Sequence, residues 1–180
     1  MATTAALAAV LAVLGWIAFA FNRLVRRANL VREAWSGIDV QLKRRHDLVP
    51  NLVDAVRAYA SFEKALLEDL TRLRAEGRAT RELQDRENAL SSQLRSVLAI
   101  AEAYPQLHAN QSFLALQHQL AAVEDQLQMA RRYYNGAVRD YNIAVESFPS
   151  NLVAARWGFA PQEFFQIESA IERQVPEVHL

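Results

Sequence analysis

The sequence contains no cysteine, so disulfides, thiolate catalysis and cysteine-ligated metals are all excluded. Glycine and proline are scarce, five of each in 180 residues, and the isolated glycines form no phosphate-cradling loop. Net charge is missing too: 20 Lys+Arg offset 20 Asp+Glu, which leaves no global attraction to nucleic acid. Strands have little to recommend them, because Ala, Leu, Gln, Arg and Glu dominate and all favour helix. No glutamate is followed three residues later by histidine, as a di-iron bundle requires, and His46, His108 and His118 lack the spacing of a zinc pair. The sequence therefore implies no cofactor and no metal, and each histidine is expected on the surface or in a loop.

One further absence is local. Residues 2–21 carry no charge, and Thr3 and Thr4 are their only clearly polar side chains. About 20 such residues in a helix match the ~30 Å hydrocarbon core of a bilayer. Arg23, Arg26, Arg27 and Arg32 follow at once. Since basic residues stay on the cytoplasmic side, the expected topology is N-terminus outside and the rest in the cytoplasm. Those arginines also suit anionic lipid headgroups, at ~1 kcal/mol for each one near the surface. A cleaved signal peptide is the competing reading, with Ala18-Phe19-Ala20 as its cleavage site, but it lacks a positive leading segment and has its cations on the wrong flank. A buried core helix is a third reading; such helices seldom go so long without charge.

From residue 24 to 73 a stripe repeats every three or four residues: Leu24, Ala28, Val31, Trp35, Ile38, Leu42, Arg45, Val49, Leu52, Val56, Tyr59, Glu63, Leu66, Leu70 and Leu73. This period predicts a coiled-coil-like seam buried against partner helices. Its phase survives Pro50, so a single helix kinked there is expected in preference to two stacked ones, extending ~75 Å at ~1.5 Å per residue. Arg45 and Glu63 breach the stripe. A buried guanidinium needs a carboxylate, which Asp39, Asp47 or an acid on a facing helix would supply. The run Lys43-Arg44-Arg45-His46 otherwise reads as a solvated face, not a nucleic-acid patch.

Around Gly77 the pattern stops, and Thr80 reads as the N-cap of the next helix, over residues 81–103, with Leu83, Leu90, Leu94, Val97 and Ala101 inward. Tyr104-Pro105 ends it. Asn110 or Ser112 opens a second long rod with the stripe Phe113, Leu116, Leu120, Val123, Leu127, Ala130, Tyr134, Ala137, Tyr141, Ala144 and Phe148. Phe148-Pro149 stops that rod, and Ser150 is expected to cap a short helix. The remaining tail carries Trp157, Phe159, Phe164, Phe165 and Ile167, with Pro161 suited to the first turn of a small helix containing Gln162 and Glu163. So much aromatic surface needs a partner: its own bundle by default, otherwise a neighbouring protomer or the bilayer. Polar positions worth following are Asp39, Gln41, Asn51, Asn110, Asn135 and Asn142. The last two lie seven apart beside Tyr134 and Tyr141, where amides either fix register and partner number or hydrogen-bond within one protomer.

The resulting fold class is all-α. A transmembrane helix over residues 1–22 continues into a long antiparallel bundle of about four helices over residues 23–149, and an aromatic-rich tail over residues 150–180 packs on it or on a neighbour. At this level the chain resembles the LemA family. The resemblance rests on Glu33-Ala34-Trp35-Ser36-Gly37-Ile38-Asp39-Val40-Gln41-Leu42-Lys43-Arg44-Arg45-His46-Asp47-Leu48-Val49-Pro50-Asn51-Leu52-Val53, on the block from Tyr104-Pro105 through Asn110 and Phe113 to Gln117, and on Ala130-Arg131, Tyr134-Asn135, Tyr141-Asn142, Phe148-Pro149 and Pro176-Glu177-Val178. It departs at Val123, where family members usually carry threonine before the glutamate corresponding to Glu124. The family implies a membrane helix followed by a helical bundle and brings no catalytic residues. Its relatives are often encoded beside membrane proteins with TPM-type domains or metallopeptidases. Together these readings lead to a non-enzymatic, membrane-anchored scaffold of the bacterial inner membrane. It is expected to self-associate, to touch membrane lipid, and to organise or recruit membrane proteins or shape the membrane. The alternative is an adaptor or regulatory subunit of a membrane-bound enzyme such as a protease.

Overall fold

The computed structural model describes residues 1–57, 80–102, 104–108 and 110–165. Five helices occur among them: α1 (Ala2–Arg57), α2 (Thr80–Glu102), α3 (Pro105–His108), α4 (Gln111–Glu146) and α5 (Ser150–Trp157). All regular structure among the described residues is helical. The Gly77 turn and the seam positions Tyr59, Glu63, Leu66, Leu70 and Leu73 lie outside the described residues, as does Ile167.

α1 is a single helix of 56 residues that passes through Pro50. Proline at that point deletes one N–H donor from the helical ladder. The loss is offset locally, because Val49, Leu52 and Val53 around it are all buried and each contributes ~1.5–3 kcal/mol of apolar burial. The seam read from the sequence is the buried side of this helix: Leu24, Val31, Ile38, Leu42, Arg45, Val49, Leu52 and Val56 are buried, with Ala28 and Trp35 half-buried. Before Ala20 the same helix has no buried residue, and Leu7, Leu11, Leu14 and Phe19 stand in the open. A stretch this apolar and this exposed is a candidate membrane span and not part of the protein core.

Two compact units make up the chain. The first joins Met1–Val40 to Gln128–Phe164. Within it α1 and α4 run antiparallel: the Arg27 guanidinium donates to the Asp140 carbonyl oxygen, while further along α1 the Trp35 ring meets Tyr134 edge-on, with centroids 5.4 Å apart. α5 turns back onto α1, where Phe21 packs against both Trp157 and Phe159 at 5.7 Å. Among the described residues, the second unit joins those between Gln41 and Leu127 to Phe165. Its core contains Leu52, Val53 and Val56 of α1, Leu90, Leu94, Val97 and Ala101 of α2, Leu107 of α3, and Phe113 and Leu120 of α4.

Helix ends follow local chemistry. Asn110 Oδ1 accepts from the N–H groups of Ser112 (2.8 Å) and Phe113 (3.3 Å), so Asn110, rather than Ser112, caps α4. At the other end of the chain, Gly158 has φ 74°, a left-handed conformation that suits glycine, and the N–H groups of Gly158 and Phe159 both reach the Ala154 carbonyl. Three expectations need correction. Phe148 is not on the inner stripe: α4 ends at Glu146, the turn breaks its phase, and Phe148 is 79% exposed. Ser150 is not an accepting cap; its hydroxyl donates backward to the carbonyls of Ala144 (2.7 Å) and Ser147 (2.9 Å), satisfying the open end of α4. Pro161, Gln162 and Glu163 form no helix, because their backbone is held in irregular form by side chains of α4.

Asn110→Ala is expected to lower stability by ~1 kcal/mol, and Gly158→Ala by ~1–2 kcal/mol because the new Cβ opposes the left-handed backbone. Denaturant unfolding of the detergent-solubilised chain measures both, with the exposed Gln111→Ala as a near-neutral control within about 0.5 kcal/mol.

Candidate functional site

The second unit carries a buried charge cluster. Glu87, on α2, is 1% exposed and holds one side chain of α1 with each carboxylate oxygen: Oε2 accepts from Arg45 Nη1 at 3.2 Å, and Oε1 pairs with His46 Nε2 at 2.8 Å. A carboxylate oxygen accepts, so Nε2 is the nitrogen with which His46 donates in this pairing. Ser91, one turn along α2, donates to the Glu87 carbonyl at 2.8 Å and accepts from Arg45 Nη2. Glu124 of α4 brings a second carboxylate within 3.7 Å of Arg45 from a half-open position. A cavity of about 210 Å³ adjoins this group, with Leu94, Leu98 and Leu120 on its apolar side.

The partner of Arg45 is thus an acid on a facing helix, and Asp39 and Asp47 stay exposed on α1. His46 is not a surface residue as expected: one helical position beyond Arg45, it is drawn to the same carboxylate. His118 is exposed, and the side chain of His108 lies outside the described residues, as does all of Glu63. Lys43 and Arg44 are exposed. Gln41 and Pro50 are half-buried on α1, and Asn51 is exposed. Among the described residues no three His, Asp or Glu side chains are placed to hold a metal ion. Chemically the cluster ties α1, α2 and α4 together at one level.

The first unit places the other flagged residues along α4. Tyr134 is buried; its hydroxyl donates to the Glu163 carbonyl at 3.1 Å. Asn142 grips the Gln162 peptide at both ends, Nδ2 donating to its carbonyl at 2.9 Å and Oδ1 accepting from its N–H at 2.8 Å. That is a bond within the protomer. Asn135 is half-buried, and Tyr141 is buried opposite Arg32, beside a cavity of about 390 Å³ that Gly158 and Phe159 also line. Burial pushes the Tyr134 hydroxyl above its usual 10.0, and the Glu163 carboxylate adds to the rise. Burial raises Tyr141 as well, with Arg32 opposing it. Of the basic residues after the span, Arg27 is tied to α4, Arg23 lines a crevice with Trp16 and Phe19, and Arg26 is exposed. In the tail, Phe159 is half-buried, Trp157 and Phe164 keep about half of their surface exposed, and Phe165 is wholly buried.

Sequence reasoning missed Glu87, Ser91 and Glu124. A signal for Glu87 was available: it falls in phase between Leu83 and Leu90, so it breaches the stripe of α2 as Arg45 breaches that of α1. Two opposite charges, each alone on an otherwise apolar stripe, are natural partners.

These features define a membrane-associated helical protein, with one apolar helix among the described residues long enough to cross a bilayer and leading into further helices. The chain belongs to the LemA family, whose model matches residues 34–180. It is 28% identical to Protein LemA of Metamycoplasma hominis, over 84% of this chain and 71% of that one. It is 24% identical to Magnetosome protein MamQ 2 of Paramagnetospirillum magneticum, over 89% and 71% of the two chains. Magnetosome protein MamQ of Magnetospirillum gryphiswaldense is 23% identical, over 83% and 66%.

Glu87→Ala leaves Arg45 buried without its main partner and is expected to cost ~3–5 kcal/mol. Replacing both residues, as Arg45→Met with Glu87→Leu, recovers most of that loss, whereas Glu124→Ala costs under ~1 kcal/mol because that carboxylate is half in solvent. Chemical denaturation of the three variants checks the order. The two tyrosines make a separate prediction. Their folded values lie above the unfolded 10.0, so their contribution is intact below pH ~10 and is lost as pH rises through the folded values. Unfolding free energy should therefore decline on the alkaline side, and less steeply in a Tyr134→Phe, Tyr141→Phe double variant.

Proposed function

We propose that this protein is a non-enzymatic scaffold, anchored by α1 in the bacterial inner membrane, that self-associates and organises or recruits other membrane proteins. The observation that carries this reading is the continuity of α1: an exposed apolar stretch enters, with no intervening loop, a helix whose remaining stripe is packed against α2 and α4. A helix that continues without a loop from a membrane anchor into a packed seam ties the rest of the protein to the bilayer, as a scaffold requires. The arginines at 23, 26, 27 and 32, with no charged side chain before them, support an outside N-terminus and a cytoplasmic bundle. Relatives named Protein LemA and Magnetosome protein MamQ support a membrane-associated reading. Self-association has its own motive in the apolar side chains of Met129 and Tyr133, exposed on α4.

An adaptor for a membrane-bound enzyme is the second reading, favoured by the same continuity of α1. Native mass measurement of the full chain extracted in mild detergent is expected to give more than one protomer; a strictly monomeric mass would refute self-association. Purification from native membranes distinguishes the two readings: recovery of the protein with copies of itself supports the scaffold, and a stoichiometric enzyme supports the adaptor.

A further inference from the structure

We infer that the corner between α4 and α5 is a second membrane contact, an interfacial foot that lies in the lipid headgroup layer beside the span. This rests on the reading of α1 as a membrane anchor and adds to it. Beyond residue 19, nine large hydrophobic side chains are exposed among the described residues, and four of them, Ile143, Phe148, Leu152 and Trp157, fall within fifteen positions of one another. Scattered exposed hydrophobics call for no explanation, but these gather at one end of the first unit. Phe148, at 79%, stands at the tip of the turn.

What lies beside them says what covers them. Ile143, Phe148 and Pro149 share a crevice of about 180 Å³ with Trp16, Phe19 and Arg23 of α1. Trp157 packs on Phe21, the last residue of the uncharged stretch. From Trp16 to Phe21 the helix rises ~7.5 Å at ~1.5 Å per residue. Amphipathic helices that lie in a membrane surface reach a comparable depth, ~5–10 Å. If α1 crosses a bilayer whose edge falls near Arg23, the corner is therefore placed in the interfacial layer by its contacts with α1. Its composition fits that layer: Phe148 and Leu152 face outward, Trp157 offers an amphipathic ring, and Arg23 and Arg156 sit where acidic headgroups would be. Val153 and Ala154, on the other side of α5, are buried in the protein. The occupant of this face is lipid, held on one side by the span it already surrounds.

The chain has no cysteine, so single reporters are clean. Phe148→Cys, Leu152→Cys, Leu11→Cys and Arg132→Cys variants of the full chain, each labelled with an environment-sensitive fluorophore, are reconstituted in vesicles of zwitterionic and anionic phospholipid. Quenching by nitroxides attached high on the acyl chains is compared with quenching by aqueous iodide. Labels at 148 and 152 should be quenched by the lipid nitroxides several-fold more than the label at 132, which is exposed further along α4. Lipid quenching at 11 but only iodide quenching at 148 and 152 would overturn the foot and leave the anchor standing. Protection of 148 and 152 from both quenchers would assign the surface to a protein partner and overturn the lipid contact. Absence of lipid quenching at 11 would overturn the anchor, and the foot with it. Circular dichroism of each labelled variant confirms that the helices are intact.

Discussion

One backbone helix meets two kinds of surroundings, and everything else in the structure follows from that constraint. Through residue 19, α1 has no buried residue, and only Trp16 and Phe19 near its end border other parts of the protein; from Ala20 onward its seam is buried with few exceptions. An α-helix satisfies its own backbone hydrogen bonds, so it is among the few elements that can leave a protein core and enter hydrocarbon without change of form. Because no loop intervenes, the facing helices must pack on whatever phase α1 presents. α4 does so in the first unit through Trp35 and Tyr134, and α2 and α4 do so in the second around Leu52 and Phe113.

Into that apolar seam the protein sets one ionic group. Arg45 and Glu87 are both almost completely buried, and withdrawing such charges from water costs several kcal/mol per ion before their attraction returns it. The geometry recovers much of that cost, since His46 and Ser91 satisfy further donors and acceptors around the pair. An all-apolar seam would tolerate a shift of one helix along another by a turn. A cation on α1 that must meet a carboxylate on α2 does not, so the cluster sets register more than it adds stability.

The tail is held by a different device. Tyr134 and Asn142, about two turns apart on α4, bond the backbone of Glu163 and Gln162. A strand partner would satisfy these peptide groups in a sheet; here side chains do so, which is why an apparent helix start at Pro161 leads to none. The aromatic side chains then part company, Phe159 against Phe21 and Phe165 buried, while Trp157 and Phe164 keep much of their surface open.

Much of this architecture was legible in the linear chain, for a physical reason: helical burial is periodic, and a period of three and four can be read without coordinates. Leu24 through Val56, Leu90 through Ala101 and Phe113 through Ala144 were placed by it, as was the uncharged opening stretch. Periodicity fails where a helix stops, and so Phe148, two residues past the end of α4, was misread as buried. It also says which residues face inward but not which inward residues meet. The sequence by itself therefore determined the long helices, their buried sides and the need of Arg45 for an acid. Only the tertiary structure decided that the acid is Glu87, that His46 joins it, and that Asn142 clasps the tail, because each pairing links residues far apart in the chain whose proximity depends on how separate helices dock.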